Sequence, residues 1–148
     1  MSSSILSYSI DHRRHRVYLK LAGEYFFPLT LDDFTVLKLV SGQSLDDALL
    51  IRLKTLSIKS LLLNYALRQI ALSPQSKKIL HQKLNRRLFQ FLHHYRYPKI
   101  EINQPQIIDQ VLDQISQLNL IDNKTYIEHL IYRHHRKSSR YLLALFRQ

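Results

Sequence analysis

The run Leu72-Ser73-Pro74-Gln75-Ser76-Lys77-Lys78-Ile79-Leu80 reads as the end of one helix and the beginning of the next. Ser73-Pro74 is a stop signal, and proline also suits the first turn of a new helix. Downstream, Leu80, Leu84, Leu88, Phe91 and Leu92 fall on one arc at 100° per residue. Lys78, Lys83, Arg86 and Arg87 lie across the other arc, which predicts a helix from about 76 to 92. Upstream, the apolar stretch 58–72, with Leu61, Leu62, Leu63, Tyr65, Ala66 and Ile70, predicts the most buried helix of the chain.

Toward the C-terminus, 95–103 reads as a loop containing Pro98, and Asn103 is placed to cap a helix. That helix carries the cleanest amphipathic pattern present: Ile107, Ile108, Val111, Leu112, Ile115 and Leu118. Asp122, following Leu120-Ile121, is a capping residue for a further helix to about 135. Ser138 or Ser139 opens a last one bearing Tyr141, Leu142, Leu145 and Phe146. The segments from Ser76 and from Ser139 share an opening of serine, a basic residue and an apolar stripe, which points to repeated helical units.

The N-terminal third has a different period. Leu6, Tyr8 and Ile10 alternate with Ser7 and Ser9, and Val17, Leu19 and Leu21 with Tyr18 and Lys20, as strands do. The basic stretch 12–16 would be one turn and Ala22-Gly23-Glu24 the next, with a third strand through Tyr25, Phe26 and Phe27 before Pro28. Asp32 or Asp33 is expected to cap a short helix stopping near Ser41-Gly42, and Ser44 to cap the following one. The expected fold is therefore mainly α: tandem three-helix repeats in an elongated array, preceded by a small N-terminal antiparallel β-sheet. Its expected divisions are 1–43 (sheet plus short helix), 44–121 (linking helix and first helical repeat) and 122–148 (an incomplete second repeat).

Charge distribution is the most informative bulk property. The 148 residues carry 22 lysines and arginines against 11 acidic residues. No acidic residue occurs between Asp47 and Glu101, where eleven basic side chains lie: Arg52, Lys54, Lys59, Arg68, Lys77, Lys78, Lys83, Arg86, Arg87, Arg96 and Lys99. The remainder sums to zero, so the whole formal charge of +11 sits in the middle third. A single-sign block repels itself unless a polyanion relieves it, which favours a nucleic-acid or nucleoprotein partner. His93-His94-Tyr95-Arg96-Tyr97 and Tyr132-Arg133-His134-His135-Arg136 interleave rings with cations, a pattern suited to phosphates and exposed bases.

Catalytic signatures are missing. The absence of cysteine excludes disulfides, thiolate zinc sites and cysteine nucleophiles, and fits a reducing cytoplasm. Gly23 and Gly42 are the only glycines, so no phosphate-cradling loop can be built. The pairs His93-His94 and His134-His135 point about 100° apart on a helix and rarely chelate one ion. Asp32-Asp33 and Asp46-Asp47 read as caps and dipole partners at helix starts. The first ten residues lack a secretory signal, and no apolar run approaches the roughly 20 residues of a membrane span. The expectation is a cytoplasmic, monomeric binding protein with no enzymatic activity, no cofactor, no metal and no membrane partner.

Several short motifs resemble the RecX family of regulatory proteins. The run 72–80 followed by Lys83-Leu84 resembles the opening of that family's first repeat. Ile107-Ile108, Val111-Leu112, then Leu120-Ile121-Asp122-Asn123 and Tyr126 resemble its helix, "L-I-D-D" and aromatic segment. Lys137-Ser138-Ser139-Arg140 resembles the start of its second repeat, and Leu39, Gly42, Leu45, Asp46 and Asp47 a segment of its longer members. Ser73, Gln75, Ile79 and Asn123 depart from the usual residues, and the family generally has three repeats.

The resemblance implies a non-enzymatic modulator of the RecA recombinase, acting in the regulation of DNA repair, recombination and the SOS response. It would lie in the groove of the RecA–DNA filament and touch DNA non-specifically and salt-dependently. On that basis the filament- or DNA-facing residues are Lys77, Lys78, Lys83, Arg86, Arg87, Arg96 and Lys99, with Arg133, Arg136, Lys137 and Arg140. Ser76, Leu80, Leu84, Leu120, Ile121, Asp122 and Tyr126 would be the motif's structural positions. The alternative is a generic helical DNA- or RNA-binding module with no recombinase partner.

Overall fold

A computed structural model describes residues 3–117. Their order is β1 (Ser3–Asp11), β2 (Arg16–Leu21), β3 (Tyr25–Thr30), α1 (Leu31–Val36), β4 (Ser44–Leu45), α2 (Asp47–Leu72), α3 (Lys77–His94) and α4 (Gln104–Gln117). The strands form one antiparallel sheet in the order β3-β2-β1-β4. The helices and terminal motif expected beyond 117, with Leu120, Ile121, Asp122 and Tyr126, lie outside the described residues.

The period-two reading of the N-terminal third holds, and the sheet is larger than expected. Tight turns make the meander. The Asp11 carboxylate accepts the amides of Arg13 and Arg14 (3.1 and 3.2 Å), and His15 turns through φ 54°. In the second turn Gly23 (φ 90°) and Glu24 (φ 66°) are both left-handed, and a Cβ at Gly23 would meet the Tyr25 ring at 3.0 Å. Strand β3 continues through Pro28, which pairs with Tyr18. It is an edge strand, so proline's missing N–H costs no ladder bond. Its outer side is met by Arg96, which exchanges backbone hydrogen bonds with Phe26 in both directions. A register shift between Ile5 and Ser7 marks a bulge in β1, and Ser44–Leu45 pairs beyond it as the fourth strand.

Two helix starts differ from the sequence expectation. Thr30, not Asp32 or Asp33, caps α1, its hydroxyl accepting the Asp33 amide at 3.1 Å. Helix α1 ends at Val36, well before Ser41-Gly42. Asp46, not Ser44, caps α2 by accepting the Leu49 amide at 2.8 Å, because Ser44 is taken up in β4. The other caps are as read: Ser76 accepts the Ile79 amide and Asn103 the Gln106 amide.

The elongated row of three-helix repeats is overturned. Among the described residues the four helices and the sheet share one core. Val17, Leu19, Leu21, Phe27 and Leu29 face it from the sheet, and Leu50, Leu53, Ile58, Leu62 and Ala66 from α2. Leu80, Leu84 and Leu88 of α3 enter it, as do Ile107, Ile108, Val111, Leu112 and Ile115 of α4. The physical reason is that the sheet's inner face is fully apolar and must be covered. Helix α2, 26 residues long, is apolar on several sides and touches β3, α3 and α4 together.

Polar side chains inside this core tie distant segments together. The Lys54 ammonium, only 9% exposed, donates to the carbonyls of Pro98 (2.9 Å) and Ile100 (2.8 Å). Burial pushes its pKa below the ordinary lysine value. Ser57 donates to the Pro28 carbonyl and hydrogen-bonds the Tyr97 hydroxyl at 2.7 Å, while the Tyr97 ring stacks on Phe27 at 5.1 Å. Burial raises the Tyr97 pKa well beyond the usual tyrosine value. At the α2–α3 corner, Lys83 donates to the side-chain oxygens of Gln69 (3.1 Å) and Gln75 (3.0 Å), and the buried Gln75 amide binds the Ser73 carbonyl at 3.1 Å.

Replacing Lys54 by methionine leaves two carbonyls without their donor, so urea unfolding should show a loss of about 1–3 kcal/mol with an unchanged m-value. Lys83→Met should cost about 1–2 kcal/mol in the same measurement, whereas Arg86→Gln, on the exposed side of α3, should stay within about 0.5 kcal/mol of the parent.

Candidate nucleic-acid interface

Helix α3 is positioned by Leu80, Leu84 and Leu88, whose burial turns the basic arc away from the core. The expected interface residues of α3 divide into two kinds. Lys77, Lys78 and Arg86 are exposed. The first turn of α3 has no acidic residue, so Lys77 and Lys78 add to the positive end of the helix dipole. An incoming anion relieves that arrangement.

Lys83 and Arg87 are half-buried and already engaged. Lys83 is held by Gln69 and Gln75. The Arg87 guanidinium lies over the rings of Tyr65 (5.3 Å) and Phe91 (4.8 Å), and its Nη1 donates to Gln90 at 2.8 Å. Its Nε is buried and has no partner among the described residues. Both side chains hold α3 to α2 or to itself, and their charge reaches solvent only in part.

Arg96 and Lys99 are exposed in the loop after α3, beside the β2–β3 turn. Arg96 approaches Glu24 at 3.9 Å, a solvent-exposed pair worth little. Arg133, Arg136, Lys137 and Arg140 lie outside the described residues.

The ring–cation interleaving after α3 resolves differently from its sequence reading. Tyr97 is a core residue, and Tyr95 is half-buried beside Phe91, His94 and Tyr97. Of the ring residues in that run His93 and His94 reach solvent, and other exposed rings lie elsewhere, among them Phe89, 63% exposed and 4.2 Å from the His93 ring, and Phe26, stacked on Tyr18 at 5.8 Å. Among the described residues no group of histidines and carboxylates is placed to hold a metal ion, and no helix is long and apolar enough to cross a membrane.

Arg14, Arg16 and Arg68 stand outside the expected set, yet together they line a cleft between the β1–β2 turn and α2. The sequence signal for this cleft is the run His12-Arg13-Arg14-His15-Arg16, whose local pattern marks only a turn. Nothing in the sequence showed that the turn folds against the far end of a long helix.

No protein-family model matches the chain, and no curated protein matches it. Among solved structures it is similar to the crystal structure of regulatory protein RecX, with a TM-score of 0.59 at 15% identity. The match covers 92% of this chain and 60% of that one, so the chain spans less than two thirds of the protein it matches. The likeness shows a RecX-like fold.

Proposed function

We propose that the chain is a non-enzymatic regulator that sits on a RecA–DNA filament and limits the activity of the recombinase. The observation that carries this reading is the α3 face. Lys78 and Arg86 are exposed on a helix anchored from behind by Leu80, Leu84 and Leu88, with Lys77 exposed at its first residue, in a fold similar to regulatory protein RecX. Arg96 and Lys99, exposed in the loop after α3, and Arg133, Arg136, Lys137 and Arg140 are assigned to the same role. Contact with DNA is through phosphates, without base readout, so it releases counterions and weakens as salt rises. No catalytic step is required of any residue, and the cytoplasm, where a recombinase works, is the assigned compartment.

In this reading the exposed cations meet the polyanion while Lys83 and Arg87 keep α3 in place. A test of binding must therefore leave those two untouched. Substoichiometric amounts of the chain should lower the steady-state ATPase rate of RecA on single-stranded DNA. Lys77→Gln, Lys78→Gln and Arg86→Gln in one chain should weaken that inhibition. The salt dependence should flatten, by roughly 2 in the slope of log affinity against log salt if three phosphate contacts to a single strand are lost. Inhibition that survives the triple substitution with the same salt slope rules out the α3 face, and no effect of the parent chain on the ATPase rules out the regulator.

A further inference from the structure

The turn joining β1 to β2 carries Arg14, and Arg16 opens β2. Facing them, α2 contributes Asn64, Leu67, Arg68 and Ala71, whose spacing of three to four residues places them on one side of the helix. The six residues line an open cleft of about 540 Å³. The turn is held in place before any ligand arrives. Asp11 binds the Arg13 and Arg14 amides, and the His15 carbonyl accepts the Leu31 amide at 2.9 Å.

The charge in the cleft is poorly compensated. Asp11 is the acidic residue beside it, reaching Arg14 at 3.9 Å with both side chains solvent-accessible. Arg16 and Arg68 have no ion pair among the described residues. After Asp47, helix α2 contains no carboxylate at all. Guanidinium groups present paired N–H donors that match phosphate oxygens, and the Asn64 amide adds a neutral donor and acceptor. The cleft is too open to enclose a small molecule, since small-ligand sites bury most of their ligand. A chain of phosphates passing across it needs no enclosure.

We infer that this cleft holds the phosphodiester backbone of a nucleic-acid strand, as a second contact separate from the α3 face. The inference rests on the nucleic-acid part of the proposed function, and it does not need the recombinase. The test uses the whole chain and a fluorescently labelled oligodeoxythymidine strand, read by anisotropy over a salt series with no recombinase present. Arg16→Gln with Arg68→Gln should weaken binding and make the slope of log affinity against log salt shallower by about 1.4, two phosphate contacts at ~0.7 each. Arg52→Gln, an exposed charge near the other end of α2, should leave the slope unchanged. Circular dichroism checks that each variant is folded, and if the pair is not, Arg68→Gln alone should change the slope by about 0.7.

A parent chain that binds the strand with a slope indifferent to these substitutions overturns the cleft and leaves the α3 face standing. A parent chain that lowers the RecA ATPase yet does not bind the free strand also overturns it, while the regulator stands. A slope change without any ATPase effect upholds the cleft and removes the recombinase.

Discussion

Helix α2 has to satisfy several neighbours at once, and the remaining elements are arranged by how it does so. Its apolar side chains do not keep to one stripe, so a single partner would leave part of the helix wet. Leu53, Ile58 and Leu62 are fully buried in the core that α2 shares with the sheet, α3 and α4. The sheet has the complementary need: an inner face built from Val17, Leu19, Leu21, Phe27 and Leu29 with no helix of its own, since α1 buries no residue. Each surface is stable only because the other is there. That mutual burial replaces an open row of repeats with one shared core.

How much of this could be read from the residues follows from the range over which each signal acts. Local rules worked where the deciding atoms are close in sequence. Ser76 and Asn103 cap their helices, and the five apolar residues of α4 from Ile107 to Ile115 are buried as their spacing required. The two misassigned caps failed because a competing partner lies elsewhere: Ser44 pairs with Ser4 in β1. Strand β3 runs past Pro28 to Thr30 because a proline forbids a ladder bond only on a side that has a neighbour, and no local signal says which side that is. The basic arc of α3 was legible as an arc. That Lys83 and Arg87 are turned inward was not, since their partners Gln69, Gln75 and Tyr65 belong to another helix.

The positive block is therefore not a uniform coating. Lys54 acts as a structural crosslink to the loop after α3, and Lys83 as a corner tie, while Arg87 is sandwiched against rings. These three use their long stems and N–H donors more than their net charge. Exposed cations stand on α3 and where the first turn meets α2, with Arg96 and Lys99 in the loop after α3 and Arg52 apart from both.

The backbone bridge between Phe26 and Arg96 has a further consequence. It occupies an edge of the sheet that would otherwise offer unpaired amides to another chain, and Pro28 removes one more donor there. At the opposite edge β4 is only two residues long. Sheet edges are where proteins join end to end into aggregates. With the β3 border sealed and β4 covering only the start of β1, any added strand is directed to the stretch of β1 that carries Leu6, Tyr8 and Ile10, so the sheet can accept another chain on one side alone.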